Sequence, residues 1–318
     1  MHRQEPQVPG KDGALVGIVT FNRRDKLAKT LEQCSSRGFR HVVVLDNGSN
    51  DGTREYLKNL PWVNKIFFDR NEGASAGFNR LMRYFIESTV HRWLLLFDDD
   101  AYPSFNYNDL VSYLRNLSGT SVPACVLKVT YPDGTLCEMN RPGINVLNRS
   151  PFAYLTRDFH VSESSKKCFV DFASFIGLVL KRETVVLAGL VSKQFFIYSD
   201  DTYYTLSISS KIGKLLYAPE FCLIHDCNRS SRRLANHGPF RVEKDIVNKI
   251  VMIREYARFK ALFVAFYVAR LLAMNPKLCM AILRASWKGI VADKALYRNE
   301  PLMRRNSANS IRETSVAS

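Results

Sequence analysis

Four short apolar runs in the first hundred residues, each followed by a polar loop, constrain this chain more than any other feature. ALVGIV (Ala14 to Val19), HVVVL (His41 to Leu45), KIFF (Lys65 to Phe68) and WLLLF (Trp93 to Phe97) have the length and composition of buried strands. Between the first two, Arg24 to Gly38 carries Leu27, Leu31 and Cys34 at helical spacing and stops at Gly38. Asp51 to Leu60 and Gly77 to Ser88 read as two more helices. Strand, helix, strand units with right-handed crossovers build an open, mostly parallel sheet flanked by helices, so the fold class is α/β and Rossmann-like.

After Tyr102 the pattern loosens. Val122 to Val129, Cys168 to Phe172 and Phe175 to Leu180 are strand-like, but loops rich in turn formers, such as Tyr131 to Asn148, separate them. From Lys244 onward Ile246, Ile250, Ile253 and Ala257 recur at helical spacing and lead into ALFVAFYVARLLAM, Ala261 to Met274. The chain divides into a flexible N-terminus (1–13), a regular α/β half (14–102), a less regular half of the same domain (103–240), a helical, basic region that associates with membranes or oligomerises (241–302), and a polar, disordered end (303–318). Hydrophobic residues make up 46% and charged residues 24% of 318, which excludes a disordered or low-complexity chain.

The formal charge of +15 calls for an anionic partner. Residues 229–318 hold 18 Lys and Arg against 6 Asp and Glu, so +12 of it lies in the helical tail. No nucleic-acid motif accompanies these charges, and no nucleic-acid partner is expected. Basic residues alternate with Phe259, Phe263, Phe266, Tyr267 and Leu271, which fits a helix lying on an anionic membrane surface; a solvated basic face is the plain alternative. The apolar run is interrupted by Arg270 and is shorter than the ~20 residues a spanning helix needs, and Pro276 divides the segment. The N-terminus lacks the apolar stretch of a signal peptide, and seven cysteines without a CxxC pair suggest neither a disulfide framework nor a zinc site. The expected location is cytoplasmic, peripheral on the inner face of the cell membrane.

WLLLF delivers Asp98, Asp99 and Asp100 to its carboxyl end, the edge of an open α/β sheet where ligands bind. Like charges so close need a cation or donors to offset them; alternate residues of an extended segment share a face, so Asp98 and Asp100 are suited to hold one hard divalent ion. A solvated acidic turn or a cap before Ser104 is the bland alternative. Asp46 in LDNGSNDGT, the segment TFNRRD and the small-residue loop RNEGASAGFNR leave the same edge and line one cleft.

TFNR, LDNGSNDGT, RNEGASAGFNR and FDDD, in this order and at these spacings, resemble the nucleotide-sugar-binding half of family-2 glycosyltransferases with a GT-A fold, over about residues 14–230. The resemblance implies that Thr20, Phe21, Asn22, Arg23 and Asp46 contact nucleobase and ribose, and that Asn47, Arg70, Asn71, Gly73, Asn79, Asp98 and Asp99 complete the nucleotide-sugar set. It makes Asp98 and Asp100 the metal pair of a DxD motif. In FFIYSDDTYYTLSISSKIGKLLYAPEFCLIHDCNR, Asp200 and Asp201 match an acidic doublet whose second member acts as base, and His225 matches a late metal-binding histidine. RNEGASAGFNR points to the galactofuranosyltransferase and rhamnosyltransferase branch.

The chemistry agrees: sugar transfer from a nucleotide diphosphate needs the departing diphosphate neutralised and the attacking hydroxyl deprotonated. The expected protein is an inverting enzyme, dependent on Mn²⁺ or Mg²⁺, that moves a sugar from a nucleotide-diphosphate donor to a lipid-linked or growing cell-surface glycan. UDP-galactofuranose is the first donor candidate and a rhamnosyl or other hexosyl donor the alternative. A catalytically inactive nucleotide-sugar-binding scaffold is the alternative of another class. Besides donor and acceptor, the expected partners are an anionic membrane surface and a second copy of the chain.

Overall fold

In the computed structural model, residues 13–145, 147, 159–162, 165–227 and 238–302 are described. The expected flexible N-terminus, 1–13, lies outside them except for Gly13, and the expected disordered end, 303–318, lies wholly outside them. Each apolar run is a strand: β1 (Ala14–Thr20), β2 (Val42–Asp46), β3 (Val63–Phe67) and β4 (Trp93–Asp98). They alternate with α1 (Arg24–Ser36), α2 (Thr53–Lys58) and α3 (Ala74–Ser88). All four strands pair in parallel in the order β3-β2-β1-β4. The carboxyl ends finish level: Thr20 lies opposite Asp46, Asp46 opposite Phe67, and Val19 opposite Asp98. Four polar loops therefore open on one edge.

The chain continues through β5 (Ala101–Pro103), α4 (Tyr107–Leu117), β6 (Ala124–Thr130), β7 (Cys168–Val170), β8 (Leu178–Lys181), α5 (Arg182–Ala188), α6 (Asp200–Lys211) and β9 (Leu215–His225). These extend one sheet to nine strands, mixed beyond β4, because fewer helical crossovers force strands parallel here. The eleven-residue β9 has no clean sequence signature. Its pairing with β6 jumps from Ala218 to Cys222, and Pro219 and Glu220 in that bulge interrupt the alternation. β9 then runs antiparallel beside β5, setting His225 opposite Ala101.

One face of the sheet packs under α1, α2 and α4 through Leu27, Leu31, Leu57, Leu110 and Leu114. The other packs under α3, α5 and α6 through Leu81, Phe85, Val185, Tyr204 and Ile208. α7 (Pro239–Tyr256) lays Ile246, Ile250 and Ile253 against Tyr203 and Leu206 of α6, so the first tail helix shares a core with the domain. α8 (Lys260–Met274) and α9 (Cys279–Val291) follow, bent by 114° at the break that Pro276 begins. Among the described residues no single helix is long and apolar enough to cross a membrane, while this bent pair meets the length and composition together.

Gly48 fixes how two of the loops meet: it sits at φ +79°, and a Cβ there would lie 2.5 Å from the Arg70 carbonyl carbon. Gly48→Ala is expected to lower the unfolding free energy by roughly 1–3 kcal/mol in urea denaturation. Gly119→Ala, which adds a methyl to open space, should leave it near the wild-type value.

Candidate active site

The first two loops are stitched together by their own polar groups. Asn22, at φ +53°, donates its backbone N–H to Ser49 Oγ (2.8 Å) and accepts from the Asn50 N–H through Oδ1 (2.8 Å). Asp46 is fully buried; its Oδ1 accepts from the Ser49 N–H (3.0 Å) and its Oδ2 lies 3.8 Å from Arg54 Nε. Asn47 carries the tie to the third loop: Oδ1 accepts from the Glu72 N–H and Nδ2 donates to Asn71 Oδ1, which also accepts from the Gly73 N–H. Phe21, Arg23, Arg70 and Asn71 remain exposed at the rim. Asn79 departs from the expectation. It is 1% exposed and donates Nδ2 to the Val191 carbonyl (2.7 Å), so it pins α3 to the chain ahead of the acidic doublet instead of facing the cleft.

The three carboxylates after β4 have different partners. Asp99 turns back: Oδ2 accepts from Thr20 Oγ1 (2.7 Å), Oδ1 lies 3.4 Å from Arg23 Nη1, and its carbonyl accepts from Thr30 Oγ1 (2.8 Å). Asp100 Oδ2 accepts from Arg23 Nη1 at 2.6 Å. Its Oδ1 lies 3.2 Å from His225 Nε2, close enough for ion pairing, yet among the described residues no donor is aligned on this buried oxygen. Burial, then Asp100 and Asp99, push Asp98 up to about 7. Burial raises Asp99 to about 6 against the pull of Arg23 and Thr20. For Asp100 burial is outweighed by His225, Arg23 and Lys26, and the carboxyl is held below its ordinary range. His225 moves the opposite way: burial lowers it, but Asp100, Cys137 and Asp98 raise it to about 10. Oxygen donors, a carboxylate that ionises reluctantly and an oxygen without an aligned donor fit a hard divalent cation at Asp98 and Asp100.

The acidic doublet splits. Asp200 is buried and accepts from Ser75 Oγ (2.8 Å), tying α6 to the start of α3. Asp201 holds the Thr202 N–H (2.6 Å) and hydroxyl (3.2 Å) through Oδ1 and borders a cavity of about 320 Å³ with Arg141, Lys249, Phe172 and Phe266. The loop before them places Phe196, Tyr198 and Ser199 at φ +64°, +68° and +62°, a left-handed conformation that costs ~1–3 kcal/mol per residue. Asn248 of α7, fully buried, offsets this by directing Nδ2 at the carbonyls of Phe195, Ile197 and Tyr198 at 3.0, 2.8 and 3.0 Å. Gly73 (φ +89°) leaves room for the Phe196 carbonyl, which accepts from the Ser75 N–H (3.2 Å). Asn248, Lys249, Arg141 and the bond from Ser75 to Asp200 were not foreseen. Of these residues only Ser75 lay in a segment read as part of the site, and the others join residues far apart in sequence.

Residues 15–136 match the family model described as glycosyl transferase family 2. The dTDP-rhamnosyl transferase RfbF of Shigella flexneri is 22% identical over 249 residues, 75% of this chain and 79% of that protein. Glycosyltransferase AglJ of Haloferax volcanii is 25% identical over 178 residues, 54% of this chain and 55% of its own length. The fold is shared with GalNAc-T7, crystallised with UDP, GalNAc and Mn²⁺ (TM-score 0.59, 14% identity, 86% of this chain and 54% of that one). It is also shared with residues 1–349 of Staphylococcus aureus TarS in complex with UDP-GlcNAc (TM-score 0.52, 14% identity, 87% and 81%). The GT-A architecture expected from the sequence is thus present.

Burial, then Asp201, raise the Asp200 pKa to about 7. An unfolded aspartate ionises near 3.9, so between about pH 4 and 7 the folded state binds the extra proton and stability falls as pH rises. Urea midpoints measured across that window should decline, and Asp200→Asn should flatten the decline.

Proposed function

We propose that this glycosyltransferase catalyses a single inverting transfer from a nucleotide-diphosphate sugar, with Asp201 as base and the carboxylates of Asp98 and Asp100, beside His225, holding Mn²⁺ or Mg²⁺. The observation that carries the reading is the division of labour between the two acidic clusters. The first ends β4 among the loops that match family 2, and the second is coupled to the same loops through Ser75 and borders the cavity. A bound cation supplies charge neutralisation for the departing diphosphate. Thr20 and Arg23 keep Asp99 and Asp100 in place, and the exposed face of the first three loops receives nucleobase and ribose. The acceptor enters the cavity, where Phe172 and Phe266 offer sugar-stacking faces and Asp201 takes the proton of the attacking hydroxyl. Burial raises Asp201 above the ordinary carboxylate range, toward a value useful for a base. One base opposite the leaving group implies inversion.

Of the two donors the sequence suggested, a rhamnosyl donor ranks first, because RfbF, similar over three quarters of this chain, is named a dTDP-rhamnosyl transferase. A galactofuranosyl donor ranks second. A scaffold that had lost transfer would have no use for two buried carboxylate clusters. Offered a panel of dTDP- and UDP-sugars with Mn²⁺, the protein should release nucleotide diphosphate from one donor. Asp201→Asn should slow transfer ~10²-fold or more with donor affinity kept. A fully active Asp201→Asn would remove the assignment.

The tail reading extends to the cytoplasmic face of the membrane. α8 and α9 expose Leu262, Met280, Leu283, Trp287 and Ile290, with Lys260, Arg270, Lys277, Arg284 and Lys288 also at the surface. Residues after α9 fold back onto the domain, where the Ser192 hydroxyl donates to the Leu296 carbonyl and Glu300 pairs with Leu190. Point changes therefore test the contact better than truncation. Sedimentation with anionic vesicles should fall about tenfold for Trp287→Glu, the loss of one large apolar side chain from the lipid, with melting temperature unchanged. Equal sedimentation of the variant would refute the anchor.

A further inference from the structure

We propose that Cys137, Cys227 and His225 Nδ1 bind a soft divalent ion of the Zn²⁺ kind, on the side of the imidazole opposite the Asp98 and Asp100 carboxylates. The three ligand atoms lie within 4.8 Å of one another, and Cys137 Sγ is 3.7 Å from His225 Nδ1. Tetrahedral zinc, with Zn–S ≈ 2.3 Å and Zn–N ≈ 2.0–2.1 Å, places sulfur and nitrogen ligands about 3.5 Å apart. Closing the set thus needs only small side-chain movements.

The backbone fixes this convergence. Cys137 donates its N–H to the Val129 carbonyl (2.9 Å) on β6, β9 ends at His225, and the Asp226 N–H donates to the Asp100 carbonyl (2.8 Å), carrying the chain round to Cys227. Cys137 and His225 are buried and Cys227 is half-buried, which leaves a path of entry. Asn140 adds an oxygen at the same point: its Oδ1 lies 2.8 Å from His225 Nδ1 and 3.0 Å from Cys137 Sγ. Behind the ring, Nε2 lies 3.2 Å from Asp100 Oδ1, near enough that a small turn of the ring aligns the carboxylate as the orienting partner of a metal-bound imidazole. Two sulfurs and an imidazole favour zinc over manganese or magnesium, whereas the carboxylate pair favours the hard ions, so the two sites select different metals. Among the described residues no other group of three such side chains converges in this way.

The site stands without the transferase reading except in one respect. With an ion on Nδ1, Nε2 keeps its proton toward Asp100, and His225 then orients that carboxylate instead of binding the donor's cation.

Cobalt is the direct probe. The full chain, kept reduced with a phosphine, should take up one Co²⁺ with a thiolate-to-cobalt charge-transfer band and intense tetrahedral visible bands, both abolished by Zn²⁺. Cys227→Ser and Cys137→Ser should each lose the charge-transfer intensity and weaken binding at least tenfold, while Asp98→Asn retains both. Cys137 is in the core, so if Cys137→Ser fails to fold, the half-buried Cys227 carries the test. No charge-transfer band in the reduced wild type, or a band that survives Cys227→Ser, would overturn the site. So would finding that the protein purified without reductant titrates as five thiols instead of seven, with a Cys137–Cys227 disulfide. A cobalt band retained in protein that releases no nucleotide from any donor would count against the transferase reading and leave this site standing.

Discussion

Asp98, Asp99 and Asp100 crowd three carboxylates onto the end of a strand buried on both faces, and the local structure follows from how that charge is balanced. Arg23 reaches two of them from the loop after β1, Thr20 holds Asp99 from beneath, and β9 brings His225 against Asp100. These partners come from the ends of two other strands, β1 and β9. The level finish of the parallel strands and the antiparallel return of β9 are thus what allow the cluster to exist. Burial, followed by repulsion from Asp100 and Asp99, raises the Asp98 pKa farthest of the three. A cation at that point would relieve repulsion that the protein's own groups leave unbalanced.

The second acidic cluster is coupled to the first by short contacts. Ser75 bonds to Asp200, and the Phe196 carbonyl passes over Gly73, so a shift in the third loop is felt at the start of α6. Three left-handed residues just ahead of the doublet are held by one buried amide from α7. The helix that begins the basic tail therefore helps to position the acidic doublet, and the pair α8 and α9 is carried on it.

The α/β alternation of residues 14–97 was readable from sequence because strand and helix periodicities are local properties. β9 was not, since a bulge with Pro219 and Glu220 breaks its pattern. The carboxylate clusters were legible as residues, but the contacts that hold each of them were not. That Asp200 turns to Ser75 while Asp201 borders the cavity depends on packing across more than a hundred residues. The contact of Asn79 was hidden for the same reason: it belongs to a loop motif, yet from its position on α3 it donates to Val191. The convergence of Cys137 with His225 and Cys227 left no trace in spacing, because β6 and β9 bring together positions some ninety residues apart.

The account turns on whether the β4 carboxylates join cation and nucleotide diphosphate in one site. Calorimetry of UDP and dTDP binding, with Mn²⁺ and then with excess EDTA, for wild type and Asp98→Asn measures this directly. The expected result is binding that needs the cation and weakens at least tenfold in Asp98→Asn, a loss of about 1.4 kcal/mol or more. Nucleotide binding indifferent both to EDTA and to Asp98→Asn would contradict it.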